Sequence, residues 1–153
     1  MSSPDLPLPP TLDFLQRLWR LNHALERRSL RMLDTLGVTA QQRLVLRCIG
    51  AFPAISPSQL AELLHVDPGT LSAALRRLER RGLVARARDA ADGRRARLSL
   101  TAAGRRLDVP SDGTVEAAVE QLLATQSSRS VRAGIALLEE FTLLLEAGAP
   151  LPE

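Results

Sequence analysis

The fold is decided by residues 56–104, SPSQLAELLHVDPGTLSAALRRLERRGLVARARDAADGRRARLSLTAAG. Ser56-Pro57 and Asp67-Pro68 each place a side-chain oxygen acceptor directly before a proline, which is typical of the start of a helix. The two signals predict a short helix over SPSQLAELL and a second over PGTLSAALRRLERR, with a tight turn between them. Two short helices joined in this way form a helix-turn-helix.

Gly82 is predicted to end the second helix, and after it the helical pattern gives way to short strand patterns. Residues 83–88 (LVARAR) predict a short strand, and residues 90–93 (AADG) predict a turn. Residues 95–100 (RARLSL) alternate polar and apolar side chains, as a returning strand does. A β-hairpin is therefore expected directly after the helix-turn-helix, and Thr101 is predicted to cap a further helix, TAAGRRLDV.

Helices are predicted on both sides of this region. Thr11 is expected to cap a first helix that ends at Gly37, and Thr39 a second helix that Gly50 closes. Residues 110–113 (PSDG) interrupt the later helical pattern, and helices are predicted over residues 114–125 and 129–147. The predicted fold class is mainly α with a small β-hairpin wing (α+β), a winged helix-turn-helix flanked by N- and C-terminal helices.

Charge is segregated along the chain. The net charge is only +3, and all twenty basic residues are arginine. Residues 67–106 carry eleven arginines and four acidic residues, a net charge of +7, whereas residues 107–153 have a net charge of −6. A positive face of this kind suits a polyanion such as nucleic acid.

Composition also bears on the cellular compartment. Cys48 is the only cysteine, so no intrachain disulfide forms and nothing indicates an oxidising compartment. No stretch approaches the roughly 18 unbroken apolar residues of a membrane span, and the N-terminus MSSPDLPLPP lacks the basic and apolar regions of a secretory signal. We expect a cytoplasmic protein with no membrane partner, and residues 1–10 as a flexible proline-rich arm.

The helix that starts at Pro68 divides into a buried stripe and an exposed face. Leu71, Leu75 and Leu78 follow the stripe, and the opposite face is small near its start and basic further along. This order suits a helix in the major groove, because small residues permit close approach while hydroxyl and guanidinium groups reach bases or phosphates. The predicted contacts from this helix are Gly69, Thr70, Ser72, Ala73, Arg76 and Arg77.

The tip of the hairpin supplies a second basic group, Arg88, Arg94 and Arg95. Arginines at the tip of two strands are well suited to a narrow minor groove, where the negative potential is strongest. Asp89 and Asp92 lie among them, and we expect one of these carboxylates to pair with Arg94 or Arg88. Glu79 is expected to pair with a neighbouring arginine.

The stretch from Thr39 to Gly104 resembles the winged helix-turn-helix of MarR-type transcriptional regulators. The order of the flanking helices is also similar to that of the family. The most specific matches are L-x-x-x-G-L-V-x-R (Leu78, Gly82, Leu83, Val84, Arg86), D-x-x-D-x-R (Asp89, Asp92, Arg94) and L-T-x-x-G (Leu100, Thr101, Gly104).

The resemblance implies a dimeric, sequence-specific DNA-binding transcriptional regulator, most often a repressor that a ligand releases from DNA. Its partners would be a second copy of the chain, a pseudo-palindromic double-stranded operator and a small aromatic effector. The resemblance adds Ser58 and Gln59 as phosphate contacts. It divides a single domain into an arm (1–10), an N-terminal dimerisation helix (11–38), the DNA-binding region (39–104) and C-terminal dimerisation helices (105–153).

Two positions depart from the family pattern. Ala73 stands where many members carry a polar or basic side chain, and Pro110 interrupts a helix that is usually continuous. These departures leave open a winged helix that binds proteins, with weak or no sequence readout. Cys48 leaves open a redox-sensing regulator, although its position between Leu46 and Ile49 favours a buried, inert thiol.

The sequence contains no motif typical of an enzyme. We find no nucleotide-binding loop, no nucleophile motif and no paired carboxylates at catalytic spacing. His23 and His65 are too few and too far apart for a metal site. We therefore expect a protein that is not an enzyme and that uses neither a cofactor nor a metal.

Overall fold

The computed structural model describes residues 7–148, and the chain divides after Val115 into two compact units. Most of the predicted arm and the last five residues of the chain lie outside the described residues. The elements are α1 (Pro10–Leu36), α2 (Ala40–Ala51), α3 (Pro57–Leu64), α4 (Pro68–Arg80), β1 (Val84–Arg88), β2 (Ala96–Leu100), α5 (Ala102–Leu107), α6 (Val115–Thr125) and α7 (Ser128–Glu146). Their order confirms the predicted helix-turn-helix with a hairpin wing.

The predicted helix starts at Thr39, Ser56 and Asp67 are confirmed. The Thr39 and Ser56 hydroxyl groups each accept the backbone N–H of the residue three positions on, at 3.2 Å, and the glutamine there accepts the cap residue's own N–H. These reciprocal bonds are capping boxes, which satisfy donors that a helix start otherwise leaves free. The local sequence therefore specifies where α2, α3 and α4 begin.

Two predicted boundaries were wrong. Helix α1 begins at Pro10 with no side-chain cap, so Thr11 lies inside it; a proline at the first position needs no partner for an N–H it lacks. Gly50 lies within α2, which ends at Ala51. A Cβ atom at Gly50 would lie 2.0 Å from Oδ2 of Asp108, so this glycine permits close packing against the segment after α5.

The core of the first unit joins α2, α3, α4 and the hairpin. Leu46, Leu60 and Leu75 are fully buried, as are the other aliphatic side chains that face them from these elements. In the antiparallel hairpin Val84 pairs with Leu100, and the remaining register follows from that pair. The Leu98 N–H also donates to the Ile55 carbonyl at 2.9 Å, which ties the wing to the segment before α3.

The L-T-x-x-G pattern after the wing has a structural explanation. The Thr101 hydroxyl accepts the N–H of Gly104 at 3.1 Å, which caps α5, and it donates to the Gly82 carbonyl at 2.6 Å. A Cβ atom at Gly104 would lie 2.0 Å from the carbonyl oxygen of Leu83. Only glycine therefore allows α5 to pack this closely against the backbone that joins α4 to β1.

Arginines of α1 and α2 hold the segment between α5 and α6, where Pro110 interrupts the helix. The guanidinium of Arg43 is fully buried and donates to the carbonyls of Leu107 at 2.7 Å and Val109 at 2.6 Å. Arg47 pairs with Asp108 at 3.0 Å on the same helix face. Arg28 of α1 donates to the carbonyl of Gly113 at 3.0 Å.

The second unit consists of α6, after its first residue, and α7. Ser127 caps α7 by accepting the N–H of Ser130 at 3.1 Å. Neither helix buries a residue within the single chain. Large apolar side chains are exposed along both helices; they are Val119, Leu122, Leu123, Ile135, Leu137, Leu138, Leu143, Leu144 and Leu145.

Candidate nucleic-acid interface

Helix α4 has the predicted division into a buried stripe and an exposed face. Leu71, Leu75 and Leu78 are fixed in the core, and the side chains opposite them reach solvent. The predicted contact residues Gly69, Thr70, Arg76 and Arg77 are exposed, whereas Ser72 and Ala73 are half-buried. The exposed face therefore begins with small and hydroxyl-bearing residues and ends with arginines.

The first turn of α4 contains an additional carboxylate, that of Asp67. Its Oδ1 atom accepts the backbone N–H of Thr70 at 2.9 Å, and its Oδ2 atom accepts the hydroxyl of the same residue. The hydrogen bond from the Thr70 hydroxyl, followed by that from the Thr70 N–H, lowers the pKa of Asp67 below its ordinary value. The capping carboxylate is therefore ionised at neutral pH and places a negative charge beside the small end of the face.

The first turn of α3 contains the two residues expected to contact phosphate. Ser58 and Gln59 are exposed. The Gln59 carbonyl oxygen accepts the Ser56 N–H at 3.0 Å, so only its amide NH₂ group remains to donate outward. Ser58 and Ser72 line the same groove between α3 and α4, which encloses about 450 Å³ above Ala61.

The arginines of this region fall into two groups according to their partners. Arg86 donates to Glu79 at 2.8 Å, which confirms that Glu79 pairs with an arginine near it, on β1. Among the described residues, by contrast, no acidic partner or hydrogen-bond acceptor holds the side chains of Arg76, Arg77, Arg80, Arg88 and Arg94. These unpaired guanidinium groups are available to an external anion.

The carboxylates of the wing pair differently from the prediction. Asp89 pairs with Arg97 at 2.8 Å and Asp92 with Arg95 at 3.6 Å, so neither side chain pairs with Arg94 or Arg88. The register explains the first pair, because Arg97 lies opposite Ala87 and its side chain therefore shares a sheet face with that of Asp89.

The Asp89 carboxylate accepts two hydrogen bonds that organise the turn of the wing. The carboxylate accepts the Ala91 N–H and the Arg97 guanidinium, each at 2.8 Å, and these two bonds, in that order, lower the pKa of Asp89. The backbone N–H of Arg94 also donates to Oδ1 of Asp92 at 3.1 Å, so the turn is fixed without use of the Arg94 side chain. By alternation along β1, Arg88 shares the face of Val84 and Arg86, the face on which Arg86 reaches Glu79 of α4.

Sequence reasoning left two residues of this surface without a role. The helical wheel placed Arg80 on the exposed face with Arg76 and Arg77 but did not assign it to DNA, and in the structure Arg80 is exposed and extends the basic face of α4. Asp67 was interpreted only as a cap, although a threonine three residues later is a signal for a second, side-chain hydrogen bond.

Within residues 7–148, the cysteine and the potential metal ligands do not form a second functional site. Cys48 is half-buried, and burial raises the pKa of its thiol. Within residues 7–148, His, Cys, Asp and Glu side chains form no cluster of three that could hold a metal ion. The same part of the chain has no helix with the length and hydropathy to cross a membrane.

Comparison with known proteins identifies the class to which this architecture belongs. The chain is similar to the Staphylococcus aureus MepR–DNA complex, with a TM-score of 0.69 and 24% identity over 88% of this chain and 97% of that one. It is also similar to PcaV of Streptomyces coelicolor in complex with its natural ligand, with a TM-score of 0.64 and 26% identity over 93% and 97% of the two chains. The fold is a winged helix-turn-helix.

Sequence comparison identifies the family. The model of the MarR family matches residues 36–95. The HTH-type transcriptional repressor Rv2887 of Mycobacterium tuberculosis is 32% identical over 123 residues, which are 80% of this chain and 88% of that protein. The chain belongs to the MarR family, whose members are transcriptional regulators and not enzymes.

Proposed function

We propose that this protein is a homodimeric repressor that recognises a pseudo-palindromic DNA operator in the cytoplasm. One α4 helix of each subunit enters the major groove of one half-site, and each wing reaches the neighbouring minor groove. The residues assigned to DNA are Ser58, Gln59, Gly69, Thr70, Ser72, Ala73, Arg76, Arg77, Arg88, Arg94 and Arg95, to which we add Arg80.

The observation that carries this proposal is the exposed face of α4. Gly69 and Ala73 lack bulk, so the first turns of the helix can lie close to base edges. Arg76, Arg77 and Arg80 follow without acidic partners among the described residues, so their charge is free to neutralise phosphates or to bind guanine. A helix face that is only in contact with water has no need for small residues in its first turns and arginines after them. This order therefore favours an interface with DNA over a solvated surface.

The wing supports a second contact. Its turn is fixed by Asp89, while Arg88 and Arg94 remain unpaired among the described residues. Arg95 is held only loosely by Asp92, at 3.6 Å, and its side chain is 73% exposed. A hydrogen-bonded turn that carries exposed arginines suits a narrow minor groove, in which an inserted arginine is attracted by the concentrated negative potential.

The apolar surface of the flanking helices supports the dimer. Trp19 of α1 is 80% exposed, and leucines on the same helix are exposed with it, including Leu12, Leu15 and Leu25. The helices of the second unit also expose large apolar side chains, and neither of them buries a residue. Because patches of this extent rarely remain in water, we assign both surfaces to contacts with a second copy.

An effector is part of the proposal, because the similar protein PcaV is bound to its natural ligand in its crystal structure. That the effector is small and aromatic follows only from the resemblance to MarR-type regulators. The structure gives less support to a redox signal through Cys48. A sensor thiol needs a lowered pKa, whereas burial raises the pKa of Cys48. A Cys48→Ser variant that still releases DNA after peroxide treatment would eliminate this alternative.

The first experiment is the selection of bound duplexes from a random pool, with purified full-length protein at near-physiological salt. We expect a pseudo-palindrome whose half-sites lie about one helical turn apart. The double variant Arg76→Ala/Arg77→Ala should abolish the enrichment. Arg20→Ala is the matched control, because it removes from α1 an exposed arginine that has no partner within residues 7–148, and it should leave the enrichment unchanged.

The outcomes separate the proposal from the protein-binding alternative. Enrichment of an operator that depends on α4 supports the repressor. Weak binding that decreases as the salt concentration rises and that selects no sequence would mean that the arginines bind the DNA backbone non-specifically. No binding to DNA at all would favour a winged helix whose partner is a protein.

A further inference from the structure

The hydrogen bond between Thr70 and Asp67 fixes the direction in which the Thr70 hydroxyl can interact. An ionised carboxylate is only an acceptor, so the hydroxyl must donate its single proton to Oδ2 of Asp67. The other oxygen of the same carboxylate is held by the backbone N–H of Thr70 at 2.9 Å. The carboxylate is thus anchored by two bonds to one residue, and the hydroxyl proton is not available elsewhere.

The exposed side of the Thr70 oxygen therefore presents only lone pairs. Thr70 is exposed on the flank of the α4 face, next to Gly69. An oxygen without a free proton cannot bind a phosphate, and the neighbouring Asp67 carboxylate repels one. A partner for this oxygen must be a hydrogen-bond donor, and in the major groove the base-edge donors are the exocyclic amines of cytosine and adenine.

We propose that Asp67 is a positioning residue that makes Thr70 a reader of amino bases. At the position that Thr70 faces in each half-site, the contacted strand should carry adenine or cytosine. Guanine and thymine present acceptors near that edge, which would face the lone pairs of the threonine without a proton between them. This inference rests on the proposed function, since it requires α4 to lie in the major groove.

The variant Asp67→Asn tests the direction of the bond. The asparagine oxygen can still accept the Thr70 N–H, so the helix cap is retained. Its NH₂ group then donates to the Thr70 oxygen, and the hydroxyl proton is released toward the groove. The freed proton lets the hydroxyl donate to guanine or thymine, while its second lone pair still accepts from adenine or cytosine. The preference for amino bases at one position per half-site should therefore disappear, while the remaining operator positions stay unchanged.

The measurement is the equilibrium affinity for four duplexes that carry each base at that position within the selected operator. For the natural chain we expect amino bases to bind about threefold to tenfold more tightly than keto bases, the range of one neutral hydrogen bond. Asp67→Asn should bring this ratio close to one. The loss of a negative charge will raise affinity for all four duplexes alike, and this uniform gain cancels in the ratio.

Thr70→Val provides a second variant, because it removes the hydroxyl and keeps the shape of the side chain. It should abolish the preference between amino and keto bases, and the double variant Asp67→Asn/Thr70→Val should behave in the same way. An unchanged amino preference in Asp67→Asn or in Thr70→Val would overturn the inference while the repressor function stands. If the natural chain selects no operator, it is the proposed function that fails.

Discussion

Two regions of the first unit are rich in arginine, and they use it in opposite ways. In α2, the fully buried guanidinium of Arg43 donates to the carbonyls of Leu107, the last residue of α5, and of Val109, which follows that helix. In α4, Arg76 and Arg77 are exposed and have no acceptor among the described residues. A guanidinium group carries five N–H donors. Where backbone carbonyls at a helix end lack partners, these donors stabilise the fold, and where the fold supplies no acceptor, they remain available for DNA.

The largest expected effect is the loss of Arg43. Arg43→Met keeps much of the volume of a fully buried side chain but leaves the carbonyl oxygens of Leu107 and Val109 without these donors. Because a hydrogen bond from a charged group contributes about 1.5–3 kcal/mol and water can replace part of it, we expect the free energy of unfolding to fall by about 2–5 kcal/mol. Urea unfolding followed by circular dichroism measures this change.

The control for that prediction is an arginine-to-methionine substitution on the exposed face of α4. Arg76→Met removes an arginine that the fold does not use, so the free energy of unfolding should change by less than about 0.5 kcal/mol. Equal destabilisation by the two variants would contradict the division of arginines into structural and DNA-binding groups.

The second prediction concerns DNA affinity. Arg76→Met should weaken binding to the selected operator by about five- to a hundredfold, which corresponds to one charged contact to a base or phosphate. If the contact is a phosphate, the dependence of affinity on salt should decrease by about one ion. Titrations at several salt concentrations give both quantities, and an unchanged affinity would remove Arg76 from the interface.

The sequence predicted most of the fold because the decisive signals are local. Capping residues and prolines marked the starts of α2, α3 and α4, and the apolar pattern of α4 predicted which side is buried. The candidate DNA-binding residues followed from the same wheel, since exposure is a consequence of helical periodicity. The family patterns placed the wing directly after this helix, where the structure has it.

Partners across the chain were not predictable from local signals. Arg43 reaches carbonyls more than sixty residues away, and nothing in its neighbourhood distinguishes it from Arg47, which reaches Asp108. The partner of Asp89 depends on the register of the hairpin, which composition does not determine. Gly50 was interpreted as a helix end because its contact with the segment after α5 is a tertiary one.

A third, smaller effect is expected at Arg47, which lies between the two extremes of burial. Its ion pair with Asp108 has a length of 3.0 Å, and the side chains are 34% and 22% exposed. Solvent screens such a pair, so Arg47→Met should cost only about 0.5–1 kcal/mol. A loss as large as that of Arg43→Met would mean that the ion pair with Asp108, and not the hydrogen bonds of Arg43 to backbone carbonyls, decides the stability of this region.

The smallest effect is a pH dependence in the wing. The Ala91 N–H and then Arg97 lower the pKa of Asp89 in the folded protein below the ordinary 3.8. The carboxylate therefore stabilises the fold above pH 3.8, and this contribution is lost as the pH falls through the folded pKa. The difference in melting temperature between the natural chain and Asp89→Asn should be constant near neutrality and should shrink below pH 3.8. A difference that persists at lower pH would assign the effect to the shape of the turn rather than to the charge of Asp89. The ion pair between Asp89 and Arg97 would then contribute little to the stability of the wing.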